Sequence, residues 1–140
     1  MNILILQGPN LNLLGVKSSR KESRLTLDKL NKRIRSFSKE SKINIKTLQT
    51  HKQFQAINFL QRNRNWANGI LFIPTSWARN SYTILETINL IQLKTSIIYF
   101  NDDFSFGTSM EDSIFTHNKI ESFTGSPVDA CIQGMEFLVK

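Results

Sequence analysis

Apolar positions along this chain alternate between short continuous runs and stretches where they recur every three or four residues. Asn2 to Leu6 (NILIL) is an apolar run of buried-strand length, stopped by the turn chemistry of Gly8-Pro9-Asn10. Val16 to Leu25 (VKSSRKESRL) is polar and basic without apolar periodicity, which predicts a mobile loop. Thr26 can cap a helix in which Leu27, Leu30, Ile34 and Phe37 share a face. Ile43 to Leu48 alternates apolar with polar, as expected of a strand on or near a sheet edge. A second helix follows with Phe54, Ile57 and Leu60 on one face. Asn68-Gly69 punctuates it, and Ile70 to Ile73 has the unbroken apolar character of a central parallel strand.

Pro74 ends that strand, and Tyr82 to Leu93 predicts a third helix burying Ile84, Ile88 and Ile91. Ser96 to Phe100 is the fourth apolar run, and a long loop with Phe104, Phe106 and Gly107 leads to a fifth strand over Ile120 to Thr124. Ser126-Pro127 marks a helix start, with Ser as N-cap and Pro at the first helical position. Ala130, Cys131, Met135 and Leu138 form its packing face. Strands that alternate with helices at this spacing predict an α/β fold, a five-stranded parallel sheet with right-handed crossovers.

With 140 residues, a single domain over 1–140 is expected, long enough to bury about two-thirds of its unfolded surface. No apolar run approaches the roughly 20 residues that span a bilayer, and Ile3 to Leu6 is too short for a signal peptide core. The expected location is the cytoplasm or an organelle interior. One cysteine, Cys131, rules out an internal disulfide and a thiolate metal cluster. A packed core thiol is expected there rather than a reactive one. No cofactor is implied.

Charge adds one feature. Between Lys17 and Lys46 stand eleven Lys/Arg against three acids (Glu22, Asp28, Glu40), a net +8 in a chain of net +7. The excess therefore falls on one loop and the helix after it. It is either a solvated helix face or a patch for an anionic partner, nucleic acid or acidic protein. Phe37 is the one aromatic residue among the cations, so a stacking platform for single strands is not indicated.

Gly8 to Gly15, GPNLNLLG, closely resembles the opening of the type II 3-dehydroquinate dehydratases. Thr26-Leu27, Pro74, Ser81, Ser113 and Gly125 fall in register with the same family without a gap. The resemblance implies a flavodoxin-like three-layer sandwich. It also implies a dehydration through an enolate, with a loop tyrosine as base, a histidine after the fourth strand as acid and an asparagine organising the enolate. Such general acid–base work needs groups that exchange protons near neutral pH.

Carried over residue by residue, the family's asparagine is Asn10, with Asn12 beside it as a binding candidate. The loop arginine is Lys17, which keeps the charge without the planar fork, and the loop tyrosine position is Glu22. The family's Asn-Pro-Gly-Ala-Tyr-Thr-His-Thr-Ser stretch reads IPTSWARNS from Ile73 to Ser81, so the binding histidine is Arg79. The fourth-strand histidine falls on Tyr99, or on Asn101 if the register moves by two, with Asp102 following. Two lid arginines fall on Phe106 and Met110. His51 and His117 lie away from the family's histidine positions and are expected at the surface.

The candidate site is therefore Asn10, Glu22 and Tyr99 for catalysis, with Asn12, Lys17, Arg79, Asn101 and Asp102 for binding and no metal. Large apolar replacements at Ile73, Phe106 and Met110 are expected to fill or close the pocket. The expectation is a catalytically inactive homologue kept as an oligomeric structural or binding scaffold. The alternative is a functioning dehydratase, or related lyase, on an altered site. By resemblance, trimers would assemble into a dodecamer, and co-assembly with an active paralogue is open.

Overall fold

The computed structural model describes residues 1–16 and 25–140; the segment 17–24, which contains the candidates Lys17 and Glu22, lies outside the described residues. Nine main elements follow in the order β1 (Asn2–Gln7), α1 (Leu27–Glu40), β2 (Asn44–Gln49), α2 (Gln53–Asn63), β3 (Gly69–Ile73), α3 (Tyr82–Ile91), β4 (Lys94–Phe100), β5 (Ile120–Gly125) and α4 (Pro127–Leu138). The five strands form one parallel sheet in the order β2-β1-β3-β4-β5. This is the doubly wound, flavodoxin-like order, which reverses direction between β1 and β3.

Strand parity divides the core into two layers. Ile3, Ile5, Leu71, Ile73 and Ile98 point to the side covered by α1 and α4, where Leu30, Ile34, Ala130, Cys131, Met135 and Leu138 meet them. Leu4, Leu6, Ile70, Phe72, Ile97 and Tyr99 point the other way, onto Ala56 and Leu60 of α2 and Ile84 and Ile88 of α3. Each large aliphatic side chain withdrawn this way contributes about 1.5–3 kcal/mol. β3 is buried along its whole length, while β2 and β5 at the edges are partly exposed. No helix of the described residues is long and apolar enough to cross a membrane.

Helix α1 starts as its sequence predicts: the Thr26 hydroxyl accepts the Lys29 backbone N–H at 3.3 Å. Asp28 in its first turn and Lys39 in its last both suit the helix dipole. Ser126 holds the N-cap position of α4 with Pro127 behind it, but its side chain makes no capping bond.

Three details depart from the sequence expectation. Phe54 is 61% exposed. Two steps of three residues drift by about 120° on a helix of 3.6 residues per turn, and the inward face of α2 is centred on Ala56 and Leu60 instead. Ile91 is half-buried, because α3 ends there: Gln92 takes a left-handed φ of 64° and donates its N–H to the Ile88 carbonyl. Its left-handed turn brings the chain into β4 at Lys94, two residues before the apolar run begins.

Gln7 pairs with both Gln49 and Ile73, so β1, β2 and β3 leave the sheet at one level. There Gly8 donates its N–H to the Ile73 carbonyl at 2.8 Å. A Cβ on Gly8 would lie 2.5 Å from the Pro74 carbonyl oxygen, backbone that cannot swing aside. Gly8→Ala is therefore expected to cost about 1–3 kcal/mol, read as a lower urea midpoint with an unchanged denaturant slope.

Candidate functional site

The carboxyl ends of the central strands carry the loops that build the site. The turn after β1 places Asn10 in the left-handed region at φ 67°, a conformation that asparagine tolerates. The Asn10 backbone N–H donates to Nδ1 of His51 at 3.1 Å, which places the proton of a neutral ring on Nε2. The loop after β2 is tied to the same turn: Gln49 Nε2 donates to the Gly8 carbonyl at 3.0 Å, and the Thr50 N–H to the Gln7 carbonyl at 3.0 Å.

Thr75 joins the loop after β3. Its hydroxyl hydrogen can go to either of two acceptors, the Pro9 carbonyl at 2.8 Å or its own neighbour's, Pro74, at 2.7 Å. Its own carbonyl accepts the Thr108 N–H at 3.1 Å, which ties in the loop after β4. Thr75 holds φ 53°, unusual for a β-branched residue. Gly107 approaches it so closely that a Cβ there would lie 2.6 Å from the Thr75 carbonyl carbon.

Above this frame lies a cavity of about 310 Å³, lined by Asn10, Leu13, Leu14, Gly15, Val16, Asp103, Phe104 and Phe106. Asn10 and Asp103 supply the polar side chains of the described lining, and the remainder is apolar. Among the described residues the exposed Asn10 side-chain amide has no hydrogen-bond partner. Among the described residues, no three of His, Cys, Asp and Glu converge to hold a metal ion.

Over residues 1–138 the chain matches the profile of the family Dehydroquinase class II. The chain belongs to that family. A protein named 3-dehydroquinate dehydratase from Dictyoglomus turgidum is 31% identical over 109 residues, covering 74% of this chain and 75% of its own. One of the same name from Endomicrobium trichonymphae is 23% identical across 99% of this chain and 96% of its own. The crystal structure of the type II dehydroquinase from Butyrivibrio crossotus superposes with a TM-score of 0.84 at 20% identity, covering 100% of this chain and 98% of that one. A 3-dehydroquinate dehydratase-like protein from Bifidobacterium longum superposes at 0.65 with 13% identity, over 100% and 99% of the two chains.

Within this dehydroquinase fold the described carried-over residues do not all line the cavity. Asn10 lines the cavity; Asn12, Arg79, Tyr99, Asn101 and Asp102 do not. Asn12 and Arg79 are exposed. Asn101 and Asp102 shape the short turn after β4, where their carbonyls accept the Phe104 and Ser105 N–H groups. Tyr99 is 5% exposed, in the α2/α3 layer, and donates its hydroxyl to Ser113. Burial raises its phenol above the ordinary 10.0, with hydrogen bonds involving Ser113 and Ser122 partly offsetting this.

Of the three apolar replacements, Phe106 lines the cavity without filling it. Ile73 is buried in the α1/α4 core, and Met110 is 41% exposed. Trp77 packs near Phe72, ring centroids 6.4 Å apart. Nothing in their spacing marks Asp103 and Phe104 as site residues; the turn after β4 brings them to the same cavity as Asn10. His51 is exposed as expected, yet it anchors the asparagine turn.

Two outcomes follow from this frame. Thr75→Val keeps the shape and removes the hydroxyl, so unfolding should become easier by about 0.5–1.5 kcal/mol in a denaturant titration. Burial also pushes the Cys131 thiol up to about 12, from 9.0. Cys131 and Tyr99 are both acids with raised values, so their contribution to stability is full below the unfolded values and fades as pH rises through the folded ones. Urea midpoints should fall from about pH 8 to about pH 11, and less steeply in Cys131→Ala and Tyr99→Phe.

Proposed function

We propose that this chain is a binding protein on the dehydroquinase class II fold and no longer dehydrates 3-dehydroquinate. The observation that carries this reading is the cavity lining at the end of β1. Removing a proton next to a carbonyl and protonating a departing hydroxyl needs two positioned groups of suitable pKa. The described lining has no Tyr, His, Lys or Arg. Tyr99 is turned into the core and bonded to Ser113, so it does not reach the cavity. His51 commits Nδ1 to a backbone N–H.

Each missing acid–base group costs about 10²–10⁴ in rate, so losing two leaves little beyond binding. A second reading, a dehydratase working through an altered site, is supported by the 31% identical relative of that name. It is also supported by the position of Asn10 in the cavity, with Lys17 and Glu22 as further participants.

Purified full-length protein at high concentration, given 3-dehydroquinate and followed by the absorbance of the enone product, decides between them. We expect no turnover above background, with Asn10→Gly indistinguishable from the parent; glycine keeps the left-handed turn. Turnover that disappears in Asn10→Gly would sink the binding-protein reading.

A further inference from the structure

Outside that cavity, positive charge is gathered on one surface. We propose that the exposed cations running along α1, over the start of β2 and onto the end of α2 bind double-stranded DNA through its phosphates, without reading its sequence. The inference gives the binding-protein reading a partner but does not need it, because none of these cations belongs to the described lining of the cavity at the end of β1.

Residues 29–64, all of them described, carry ten Lys/Arg and a single acid, Glu40, in a chain whose net charge is +7. All ten cations are exposed. Gathering like charges on one part of a fold destabilises it by self-repulsion. A bound polyanion offsets that repulsion.

The helix sets the spacing. Lys32, Arg35 and Lys39 follow at intervals of three and four residues, so they share one flank of α1, turned away from the buried Leu30 and Ile34. At 1.5 Å of rise per residue they stand about 4.5 and 6 Å apart along the axis. Lys42 continues the line just past the helix, at a left-handed φ of 57°. From Lys32 to Lys42 the line covers about 15 Å, the axial length of four or five phosphates on one strand of a duplex at about 3.4 Å each.

The line continues around the sheet edge. A groove of about 420 Å³, lined by Arg35, Lys39 and Lys42 with Asn44 and Ile45, carries it from α1 to the start of β2. Lys46, two residues on, stands over the Trp66 ring at 4.3 Å and donates to Asn63 Oδ1 at 3.2 Å. It is thereby held against the end of α2, where Arg62 and Arg64 flank Asn63 in sequence. Helix capping does not account for the cations of α1. Lysines near a helix end commonly cap its last carbonyls, but here Ser41, Lys42 and Ile43 donate their backbone N–H groups to the Phe37, Lys39 and Ser38 carbonyls at 3.0, 3.3 and 2.8 Å.

The chemistry of the face selects among polyanions. Single strands are gripped by stacking their bases on aromatic rings. Phe37 packs into the core instead, and the Lys46 ammonium covers the Trp66 ring. Membrane surfaces are gripped by cations together with apolar side chains that enter them, and no residue of α1 or β2 is among the exposed large apolar ones. An extended acidic peptide offers at most one charge per about 3.3 Å, whereas duplex DNA offers one per about 1.7 Å. Modules that bind double-stranded RNA span about 16 base pairs and two minor grooves, well beyond a single line of charge. Duplex DNA fits best.

The test titrates labelled DNA duplexes of about 20 base pairs, in two unrelated sequences, with full-length protein and reads fluorescence anisotropy between about 50 and 200 mM KCl. Both sequences should bind alike, and affinity should fall by about a hundredfold over that range, as about four phosphate contacts require. Arg35→Gln with Lys39→Gln should flatten the log–log salt slope by about two and weaken binding at about 100 mM KCl by at least about tenfold. Lys119→Gln with Lys140→Gln, an equal loss of charge on the β5 side, should leave both nearly unchanged. Both double variants are checked for a native circular dichroism spectrum. Single-stranded DNA, duplex RNA, polyglutamate and phosphatidylserine-containing vesicles, titrated alongside, should each bind more weakly than duplex DNA.

Any of those four binding as tightly as duplex DNA would overturn the proposal. So would equal losses in the two double variants, a clear preference for one of the two sequences, or no duplex binding at about 50 mM KCl with protein up to about 100 μM. The dehydratase assay reads separately. A protein that lacks turnover and ignores duplex DNA overturns this inference and leaves the binding-protein reading standing; one that turns over 3-dehydroquinate and binds DNA does the reverse.

Discussion

The close approach of Gly8 to Pro74 is the constraint on which the rest of the site depends. Two parallel strands end side by side, and their loops must separate at once or lie in contact. Here they lie in contact: the Gly8 N–H meets the Ile73 carbonyl, with no room for a Cβ beside the Pro74 carbonyl. The Thr75 hydroxyl within reach of the Pro9 carbonyl ties the loops a second time. Asn10 thereby stands over the reversal point of the sheet, where an open α/β fold has its natural crevice.

Backbone strain follows the same geography. Five described non-glycine residues have positive φ. Lys42 and Gln92 lie just beyond the ends of α1 and α3, where a left-handed residue commonly terminates a helix. The other three, Asn10, Thr75 and Asp102, lie just beyond the carboxyl ends of β1, β3 and β4. Asn and Asp adopt this conformation with modest penalty. A threonine does not, and such positions cost of order 1–3 kcal/mol. At Thr75, where the resembling family has glycine, the available bonds to the Pro9 carbonyl and from Thr108 hold the conformation. The loop geometry has been kept although the residue that makes it easy has gone.

The described cations of α1 are not part of the described cavity lining. Lys32, Arg33, Arg35, Lys39 and Lys42 are exposed on or just after α1, and none is ion-paired among the described residues. A polyanion attracted by the helix would be held less tightly as salt rises.

The strands, the helices and their order along the chain were legible in the sequence, because apolar period reports burial directly: Ile70 to Ile73 reads as a central strand and is one. The turn chemistry of Gly8-Pro9-Asn10, the Thr26 cap and the Pro127 helix start are equally local. What the sequence left open depends on which side of the sheet, or of a helix, a residue takes. Tyr99 alternates with Ile98 along β4, and strand parity sends it into the α2/α3 layer. Phe54 fits an apolar spacing, but the packing of Ala56 and Leu60 turns it to solvent. Asp103 and Phe104 carry no periodic signal, and a turn after a distant strand brings them to Asn10. Local chemistry decided the elements; contacts between residues far apart in the chain decided which side chains share the cavity, because direction across a pleated strand is read out only once its neighbours are in place.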